Sequence, residues 1–246
     1  DMLAFARKHA CKGSIDVNIM TKVDRVNYKG ANPLPKEYND AHAALRGFAN
    51  SELNASLVLS AGLNPSLYSY MASFDDFYPN ENGEFKKRIT LKVSDYRSAL
   101  IQGKFLAKKG LWVSEYRIES GLNCGGHAFA TDGFLLGPIL EEFKNNRKAL
   151  REELFAMYAT ALEQNEKPHK MPMPKFNITA QGGVGTAKEH AFLLNHYELD
   201  GVGWGSPFLL VPEATCVDLG GRRIIKKAKE NDLYLSGISP LGVPFN

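Results

Sequence analysis

The segment FNITAQGGVGTAKEHAFLLNHYELDGVGWGSPFLLVP, which spans residues 176–212, decides the fold. Its first five residues form a short, apolar and partly β-branched run that indicates a strand, and a glycine-rich turn ends it. Thr186 and Glu189 have the spacing of a capping box, which predicts that a helix begins there. A second strand is predicted over 202–204, followed by a second turn at 205–206. The segment thus indicates two strands joined by one helix, with a glycine turn after each strand.

The two turns are expected at the same edge of a parallel sheet, because one helix connects their strands. Gly182 and Gly183 in the first turn, and Gly205 and Ser206 in the second, leave backbone N–H groups bare. Such groups beside a helix N-terminus bind phosphate. In (β/α)8 barrels the usual phosphate site follows the seventh and eighth strands, and we predict this arrangement. The alternative is a dinucleotide-binding turn, which would need a third glycine at the correct offset and an acidic residue that closes a later strand.

Composition narrows the class of protein. The chain has 246 residues, of which 44% are hydrophobic, and its net charge is only +3. This length suits one large α/β domain or two small ones, and the scattered basic residues do not indicate nucleic-acid binding. No apolar run approaches the ~20 residues of a membrane helix, so no membrane association is predicted. Cys11, Cys124 and Cys216 lie far apart and lack metal-ligand spacing, which favours a reducing compartment and a cytoplasmic location.

Strands alternate with helices along the chain, which predicts an α/β fold with a parallel sheet and helices outside it. The strand-like runs begin near Ile15, Ser56, Arg88, Leu111, Phe176 and Val202. A closed barrel of this type has eight strands. If the last two runs are the seventh and eighth strands, residues 1–246 form a single (β/α)8 TIM-barrel domain without its first two strands. We therefore expect an N-terminally truncated barrel.

Two helix predictions depend on local patterns. Apolar residues recur every three and four positions over 139–164, which predicts a long helix, and a proline-rich linker follows it. We interpret residues 139–175 as a helical insertion between strands six and seven. An ordinary crossover helix with a long exit loop is the alternative. Ser94, directly after a strand, is predicted to cap the helix that carries Leu100 and Phe105.

His127 is the candidate catalytic residue. It follows Gly125 and Gly126 in a loop beyond a strand, where the two glycines let the backbone approach a ligand. An unperturbed histidine, with a pKa of about 6.5, suits a general base at neutral pH. Cys124 is an alternative nucleophile on the same loop. The other histidines are interpreted as hydrogen-bonded residues without a catalytic role: His9, His42, His169, His190 and His196.

Further candidates end strands at the same edge of the sheet. Lys92 lies at the C-terminal end of its predicted strand, where a cation can neutralise an anion or an electron-rich ring. Asn18 and Gly62 end two other predicted strands. Because active sites of (β/α)8 barrels lie at the carboxyl ends of the strands, we expect these residues near one ligand site.

Several segments resemble the nitronate monooxygenases, which are FMN-dependent (β/α)8 enzymes. IESGLNCGGHAF at 118–129 resembles the family's loop after strand six, in which a Glu-Ala-Gly-Gly-His-like motif carries the catalytic base. TAQGGVGTAKE at 179–189 and DGVGWGSPFLLVPEA at 200–214 are similar to the family's turn after strand seven and to its strand eight. LKVSDYRSA at 91–99 and DVNIM at 16–20 resemble two earlier strands. The similarity covers most of the chain, in the family's order.

The resemblance implies a role for each matching residue. The residues that would hold the FMN phosphate are Gly182, Gly183, Gly205 and Ser206. Lys92 and Asn18 would contact the flavin, and His127 would take the substrate proton. The chain departs from the family motif in the loop before His127, which residues 122–124 enlarge.

The function that the resemblance implies is an FMN-dependent oxidoreductase that oxidises a small-molecule substrate, an alkyl nitronate or similar carbanion, with O2. Three alternatives stay open. Residues 119–121 also resemble the motif of FMN-dependent enoyl-thioester reductases. Inosine-monophosphate dehydrogenase places a nucleophilic cysteine on the same loop, where Cys124 lies here. The third alternative is a barrel fragment that binds a phosphate ligand and catalyses nothing. The sequence does not indicate an oligomeric state.

Overall fold

The structure, a computed structural model, describes residues 2–9, 13–20, 24–60, 62–119, 136–169, 172–181, 184, 186–204 and 229. The α-helices in these ranges are α1 (Met2–His9), α2 (Asp40–Ala49), α3 (Pro65–Met71), α4 (Tyr96–Ala107), α5 (Leu136–Gln164) and α6 (Ala187–His196). The strands are β1 (Val17–Met20), β2 (Tyr28–Lys29), β3 (Asn32–Pro33), β4 (Ala55–Ser60), β5 (Lys87–Val93), β6 (Val113–Glu119), β7 (Asn177–Gln181) and β8 (Gly201–Gly203). Short 3-10 helices span Lys36–Tyr38 and Asp75–Phe77.

Six of the strands form one parallel sheet in the order β1-β4-β5-β6-β7-β8, while β2 and β3 form a separate antiparallel pair. Apart from that pair, neighbours in the sheet follow each other along the chain. A doubly wound sheet reverses its strand order at a switch point, and no reversal occurs among the described strands. The predicted α/β class, with a parallel sheet flanked by helices, is confirmed. Within the described residues the sheet is open, with β1 and β8 at its two edges.

One face of this sheet is apolar. Side chains alternate between the two faces of a strand, and here one alternate set is almost wholly buried. This apolar face comprises Ile19, Leu57, Leu59, Ile89, Leu91, Val93, Tyr116, Ile118, Ile178 and Ala180. All of these residues belong to the hydrophobic core, to which helices α2 to α6 also contribute. The helices therefore cover the apolar face.

The opposite face of the sheet is polar. The parallel register places its polar side chains next to one another on β5, β6 and β7: Thr90, Lys92, Glu115, Arg117, Glu119, Thr179 and Gln181. Val58 on β4 shares this polar face, and it is buried without belonging to the hydrophobic core. The side chains that can take part in acid–base or binding chemistry are therefore collected on the face opposite the core.

The predicted long helix is α5, which has 29 residues. Its buried residues are Ile139, Leu140, Phe143, Leu150, Leu154, Tyr158, Ala161 and Leu162. Because most of them belong to the hydrophobic core, α5 packs on the apolar face as the connection between β6 and β7. This position favours the interpretation as a crossover helix over that as a surface insertion. No helix in the described part of the chain combines the length and apolarity needed to cross a membrane.

The N-caps of two helices show how well local sequence patterns predict where a helix begins. The capping box of α6 is confirmed: Glu189 donates its N–H to Thr186 Oγ1 at 3.2 Å, and Thr186 donates its N–H to the Glu189 carboxylate at 2.9 Å. The prediction that Ser94 caps α4 is wrong. Asp95 is the N-cap, and its carboxylate accepts the N–H of Ser98 at 2.7 Å. A carboxylate is the stronger acceptor, and Ser94 donates its own hydroxyl to it.

The strand boundary that changes most is that of β6. The strand predicted to begin near Leu111 is observed over Val113–Glu119. Trp112 precedes the strand, buried in the core, and donates its indole N–H to the carbonyl of Lys175 at 2.8 Å. At the other end, pairing with β7 continues as far as Glu119 and Gln181. Glu119, which was expected to begin a loop, is therefore the last residue of a strand.

Candidate functional site

The carboxyl ends of the strands form one edge of the sheet, which we call the rim. We define it by the last polar-face position of each strand from β4 to β8: Ser60, Lys92, Glu119, Gln181 and Gly203. Ligands of open and closed parallel α/β sheets bind at this end of the strands. The rim is therefore the place in the fold where a ligand site is expected.

Lys92 lies on the rim, paired with a carboxylate. Its Nζ lies 2.7 Å from Glu119 Oε1, and the two side chains are 17% and 11% exposed. The pair stays accessible, but the carboxylate compensates the charge of Lys92. An anionic ligand would therefore have to share Lys92 with Glu119.

Asn18 lies beside the rim, on the edge strand β1. Ser60 donates its hydroxyl to Asn18 Oδ1 at 2.9 Å. Since the amide oxygen of this exposed side chain is an acceptor, its NH2 group is what Asn18 can offer to a ligand. Gly62 follows two residues after Ser60 with a φ of 103°, a backbone conformation that favours glycine.

Three segments that carry the other candidates leave the sheet side by side. Glu119 pairs in register with Gln181, and Gln181 pairs with Gly203. The segment with His127 and Cys124 begins directly after Glu119. Outside the described residues lie His127, Cys124, Gly182, Gly183, Gly205 and Ser206. The structure therefore shows only where their three segments begin, at the neighbouring residues Glu119, Gln181 and Gly203.

The start of α6 already uses its own donors. The N–H of Glu189 is bound by Thr186 Oγ1, and the Glu189 carboxylate binds the N–H of Thr186 in return. This carboxylate takes the position at the helix N-terminus that a phosphate would otherwise favour. The capping box therefore leaves fewer donors for a phosphate at the start of α6, namely those outside Thr186 and Glu189.

A network of charges lies on the polar face below the rim. The Arg117 guanidinium contacts Glu115 at 2.8 Å and Asp16 at 3.4 Å, and Thr179 donates its hydroxyl to Glu115 at 2.7 Å. Burial alone would lower the pKa of Arg117, but the hydrogen bonds and charges of Glu115 and Asp16 outweigh burial and raise it. The network therefore keeps Arg117 charged.

A cavity of about 990 Å³ opens at the opposite ends of the strands. Residues from the amino ends of four strands line it, namely Ser56, Arg88, Ser114 and Asn177. Because it lies at the amino ends, it is not the ligand site that the rim predicts. Among the described residues, no group of histidine, cysteine, aspartate and glutamate side chains could hold a metal ion.

Comparisons with known proteins add no assignment. Neither a scan against protein-family models nor a search of curated proteins found a match to this chain. The resemblance to nitronate monooxygenases therefore stays a prediction.

Glu119 and Ser60 are rim residues that the sequence did not single out. Glu119 was assigned to a loop, and Ser60 was assigned only to a buried strand. A usable signal was present for Glu119: it lies two residues after Arg117 and four after Glu115, so all three alternate onto one face. Its ion pair with Lys92 depends on the register between β5 and β6, which no local pattern reports.

Proposed function

We propose that this chain is part of a (β/α)8 barrel and acts as an FMN-dependent oxidoreductase of the nitronate monooxygenase type. The observation that carries the proposal is that three segments leave the rim at neighbouring positions, Glu119, Gln181 and Gly203. One of them carries the candidate base, His127, and the other two are the glycine turns. Segments that start from adjacent strands can reach the same ligand, as a flavin enzyme requires of its base and its phosphate site.

The sheet supports the barrel part of the proposal. Its strands follow chain order without reversal, and helices α2 to α6 share one core with the apolar face. In a (β/α)8 barrel the helices likewise form an outer ring, and the opposite face of the sheet points into the barrel. We infer that the polar face is the inner surface of such a barrel.

Two described residues, one on the rim and one beside it, support the choice of FMN as the ligand. Asn18 offers amide donors, and Lys92 offers a cation that remains accessible beside Glu119. Because the capping box of Thr186 and Glu189 engages two donors at the start of α6, we propose that the FMN phosphate binds mainly to the glycine turns. The residues proposed to hold that phosphate are Gly182, Gly183, Gly205 and Ser206.

In this proposal each of these residues has a separate role in the reaction. His127 would take the α proton of the substrate. Lys92 would contact the flavin, and its positive charge would orient the electron-rich groups of the flavin and the substrate. Glu119 would hold Lys92 in place by their ion pair. FMN, when bound, would accept the electrons of the resulting carbanion and pass them to O2.

An absorption spectrum of the purified chain, before and after addition of FMN, tests the proposal first. Flavin bands near about 370 and 450 nm that remain with the protein after gel filtration are expected. The variant His127→Ala should keep the flavin and lose about 10²-fold or more in nitronate turnover. His169→Ala is the matched control, because His169 lies in the linker after α5 and binds the carbonyl of Lys167. A protein that neither retains nor binds FMN would refute the proposal and favour the non-catalytic alternative.

The enoyl-thioester reductase is the second candidate. The observation that favours it is the sequence Glu-Ser-Gly at 119–121, which resembles the start of that family's Glu-Ser-Gly-Gly-His motif and begins with Glu119 on the rim. Oxidation of NAD(P)H with a crotonyl thioester, but no oxidation of a nitronate, would identify this function. The opposite pattern would exclude it.

A further inference from the structure

A chain of hydrogen bonds joins an aspartate, a histidine and a serine from three separate segments, and none of the three is a rim residue. Asp24 Oδ2 lies 2.6 Å from His42 Nδ1, and His42 Nε2 lies 3.2 Å from Ser66 Oγ. Asp24 precedes β2, His42 lies in the first turn of α2, and Ser66 is the second residue of α3. Only the fold brings these residues together.

The surroundings hold the imidazole in one orientation. The second oxygen of the Asp24 carboxylate accepts the N–H of Ala41 at 3.0 Å, so both carboxylate oxygens are engaged. The His42 ring is 2% exposed, and the Tyr70 ring lies against it at 5.2 Å between centroids. A ring buried in this way cannot turn freely, which is the condition for directed proton transfer.

The order of the contacts is that of a nucleophile activated by a general base. A carboxylate at Nδ1 favours the tautomer that carries its proton there, which leaves Nε2 as a base. Nε2 faces the hydroxyl of Ser66 and can accept its proton. Aspartate orients histidine, and histidine activates serine, by the same logic that operates on several unrelated folds.

A cavity beside this chain gives the serine access to a small ligand. It has a volume of about 340 Å³ and is lined by Lys36, Glu37, His42, Ser66 and Tyr70. Its volume suits a small acyl compound rather than a polymer. Lys36 and Tyr70 carry the donors in its lining that can stabilise a developing oxyanion.

We propose that Asp24, His42 and Ser66 form a second catalytic site, which hydrolyses small carboxylic esters. The site does not depend on the proposed flavin function, since none of its residues belongs to the rim. The structure confirms that His42 is hydrogen-bonded, and the proposal adds a catalytic role to the interpretation made from the sequence.

The reaction would proceed in two balanced steps. Ser66 Oγ attacks the ester carbonyl carbon while its proton moves to His42 Nε2. The carbon–alkoxide bond then breaks, and the leaving alkoxide takes that proton and departs as an alcohol. In the second step His42 takes a proton from water, the hydroxide attacks the acyl–Ser66 carbonyl, and Ser66 recovers its proton as the carboxylic acid leaves.

The same contacts could serve only to fasten α2 to α3, so the test must measure reactivity and not stability alone. The purified full chain is treated with phenylmethylsulfonyl fluoride, and the modified residue is located by peptide mass spectrometry. Hydrolysis of p-nitrophenyl acetate is measured in parallel. We expect one label per chain, on Ser66, and loss of ester hydrolysis with it.

Variants separate catalysis from packing. Ser66→Ala should abolish labelling and hydrolysis, whereas Ser69→Ala should leave both unchanged. Ser69 is the matched control, because it lies on the same helix and only donates its hydroxyl to the carbonyl of Pro65 at 2.7 Å. His42→Gln should slow labelling of Ser66 by about 10²-fold.

Circular dichroism identifies any variant that fails to fold, and labelling of the unaltered chain needs no variant. Absence of the label from Ser66 in the unaltered chain would overturn the proposal. So would unchanged ester hydrolysis in a folded Ser66→Ala protein. A folded Asp24→Asn variant that is labelled as fast as the unaltered chain would remove Asp24 from the catalytic site and overturn the proposal in its present form.

Discussion

The two faces of the six-stranded sheet differ in what their buried residues do. On β5, Leu91 and Thr90 are adjacent in the chain and almost equally buried, at 0% and 1% exposure. Leu91 lies on the apolar face and belongs to the hydrophobic core, while Thr90 lies on the polar face beside Glu115. Burial alone therefore does not tell a residue of the hydrophobic core from a residue of the polar face.

The apolar face is specified by packing and the polar face by pairing of charges. Side chains of the apolar face meet five helices in one core, where each buried methylene contributes to stability. Side chains of the polar face satisfy each other through contacts such as Lys92 with Glu119 and Arg117 with Glu115. We infer that substitutions on the apolar face mainly change the free energy of unfolding. Substitutions on the polar face should change this free energy less and can alter function.

The largest effect is expected from a matched pair of substitutions on β5. Leu91→Ala should lower the free energy of unfolding by about 3 kcal/mol, because it removes core contacts and leaves a cavity. Thr90→Ala should cost less than about 1 kcal/mol, since its hydroxyl makes a single long contact, 3.4 Å, with Glu115. Urea denaturation of both variants measures the difference. Equal losses would show that the polar face contributes to the core after all.

A smaller effect is expected from breaking the charge network of the polar face. Arg117→Met leaves the carboxylates of Glu115 and Asp16 without their cation, and a loss of about 2 kcal/mol in stability is expected. The double variant Glu115→Gln with Arg117→Met should recover part of that loss, because it also removes one of the unpaired charges. If the two changes are simply additive in urea denaturation, the network is not coupled.

The smallest effect on stability is expected from removing the hydroxyl of two fully buried tyrosines, one on α3 and one on the apolar face. Tyr68 donates its hydroxyl to Gln102 at 2.7 Å, whereas Tyr116 Oη has no hydrogen-bond partner among the described residues. Tyr68→Phe should cost about 1 kcal/mol, and Tyr116→Phe should be close to neutral or stabilising. Both tyrosines are 0% exposed, so the loss of apolar contacts is matched. A larger loss for Tyr116→Phe than for Tyr68→Phe would contradict the assigned hydrogen bonding.

The pH dependence of the same variants provides a second measurement. Burial raises the pKa of both phenols, so the folded chain keeps protons that the unfolded chain loses above about pH 10. The stability that these groups contribute is thus complete below the unfolded pKa and falls as pH rises above it. Relative to the unaltered chain, Tyr116→Phe should gain about 1 kcal/mol between pH 8 and pH 11. A difference that stays constant over this range would show that Tyr116 is not protected from ionisation.

Close packing explains why the Tyr116 hydroxyl has no hydrogen-bond partner in the described part of the chain. It lies against Gly103 of α4, where an added Cβ would collide with the tyrosine oxygen and with Leu154 of α5. The glycine is needed because α4, α5 and β6 approach each other closely at this point. The sequence shows a glycine inside a helix, but the reason for it appears only when three elements are packed together.

Local signals predicted the elements well. The alternation of strands and helices, the capping box at Thr186 and the 3.6-residue periodicity of α5 all depend on residues close in the chain, and the structure agrees with them. The predicted cap at Ser94 is wrong because Asp95 is a neighbouring and stronger acceptor. The resemblance puts residues 118–119 in a loop, but they belong to β6. Pairing with β7, more than fifty residues away, holds them in the strand.

Some features of the candidate site could likewise be predicted from local sequence, while others depend on contacts between distant segments. Lys92 could be placed on the rim from the sequence, because the end of a strand is a local feature. Asn18 does not end its strand as expected: it is the second of the four residues of β1 and pairs with Val58, so it lies beside the rim. The partner of Lys92 could not be predicted, because Glu119 reaches it through the register between two strands. His42 was set aside as an ordinary helix residue, since its contacts to Asp24 and Ser66 span 18 and 24 residues of chain.

By itself, the sequence determined the class of this protein: a parallel α/β fold whose strands and helices follow from hydrophobic period and capping, which act over a few residues. Tertiary structure alone decided which side chains became partners. It paired Lys92 with Glu119, joined Asp24, His42 and Ser66, and gave Tyr116 no acceptor among the residues that the structure describes. The physical reason is range, because hydrogen bonds and ion pairs act over about 3 Å, and only folding brings distant segments that close.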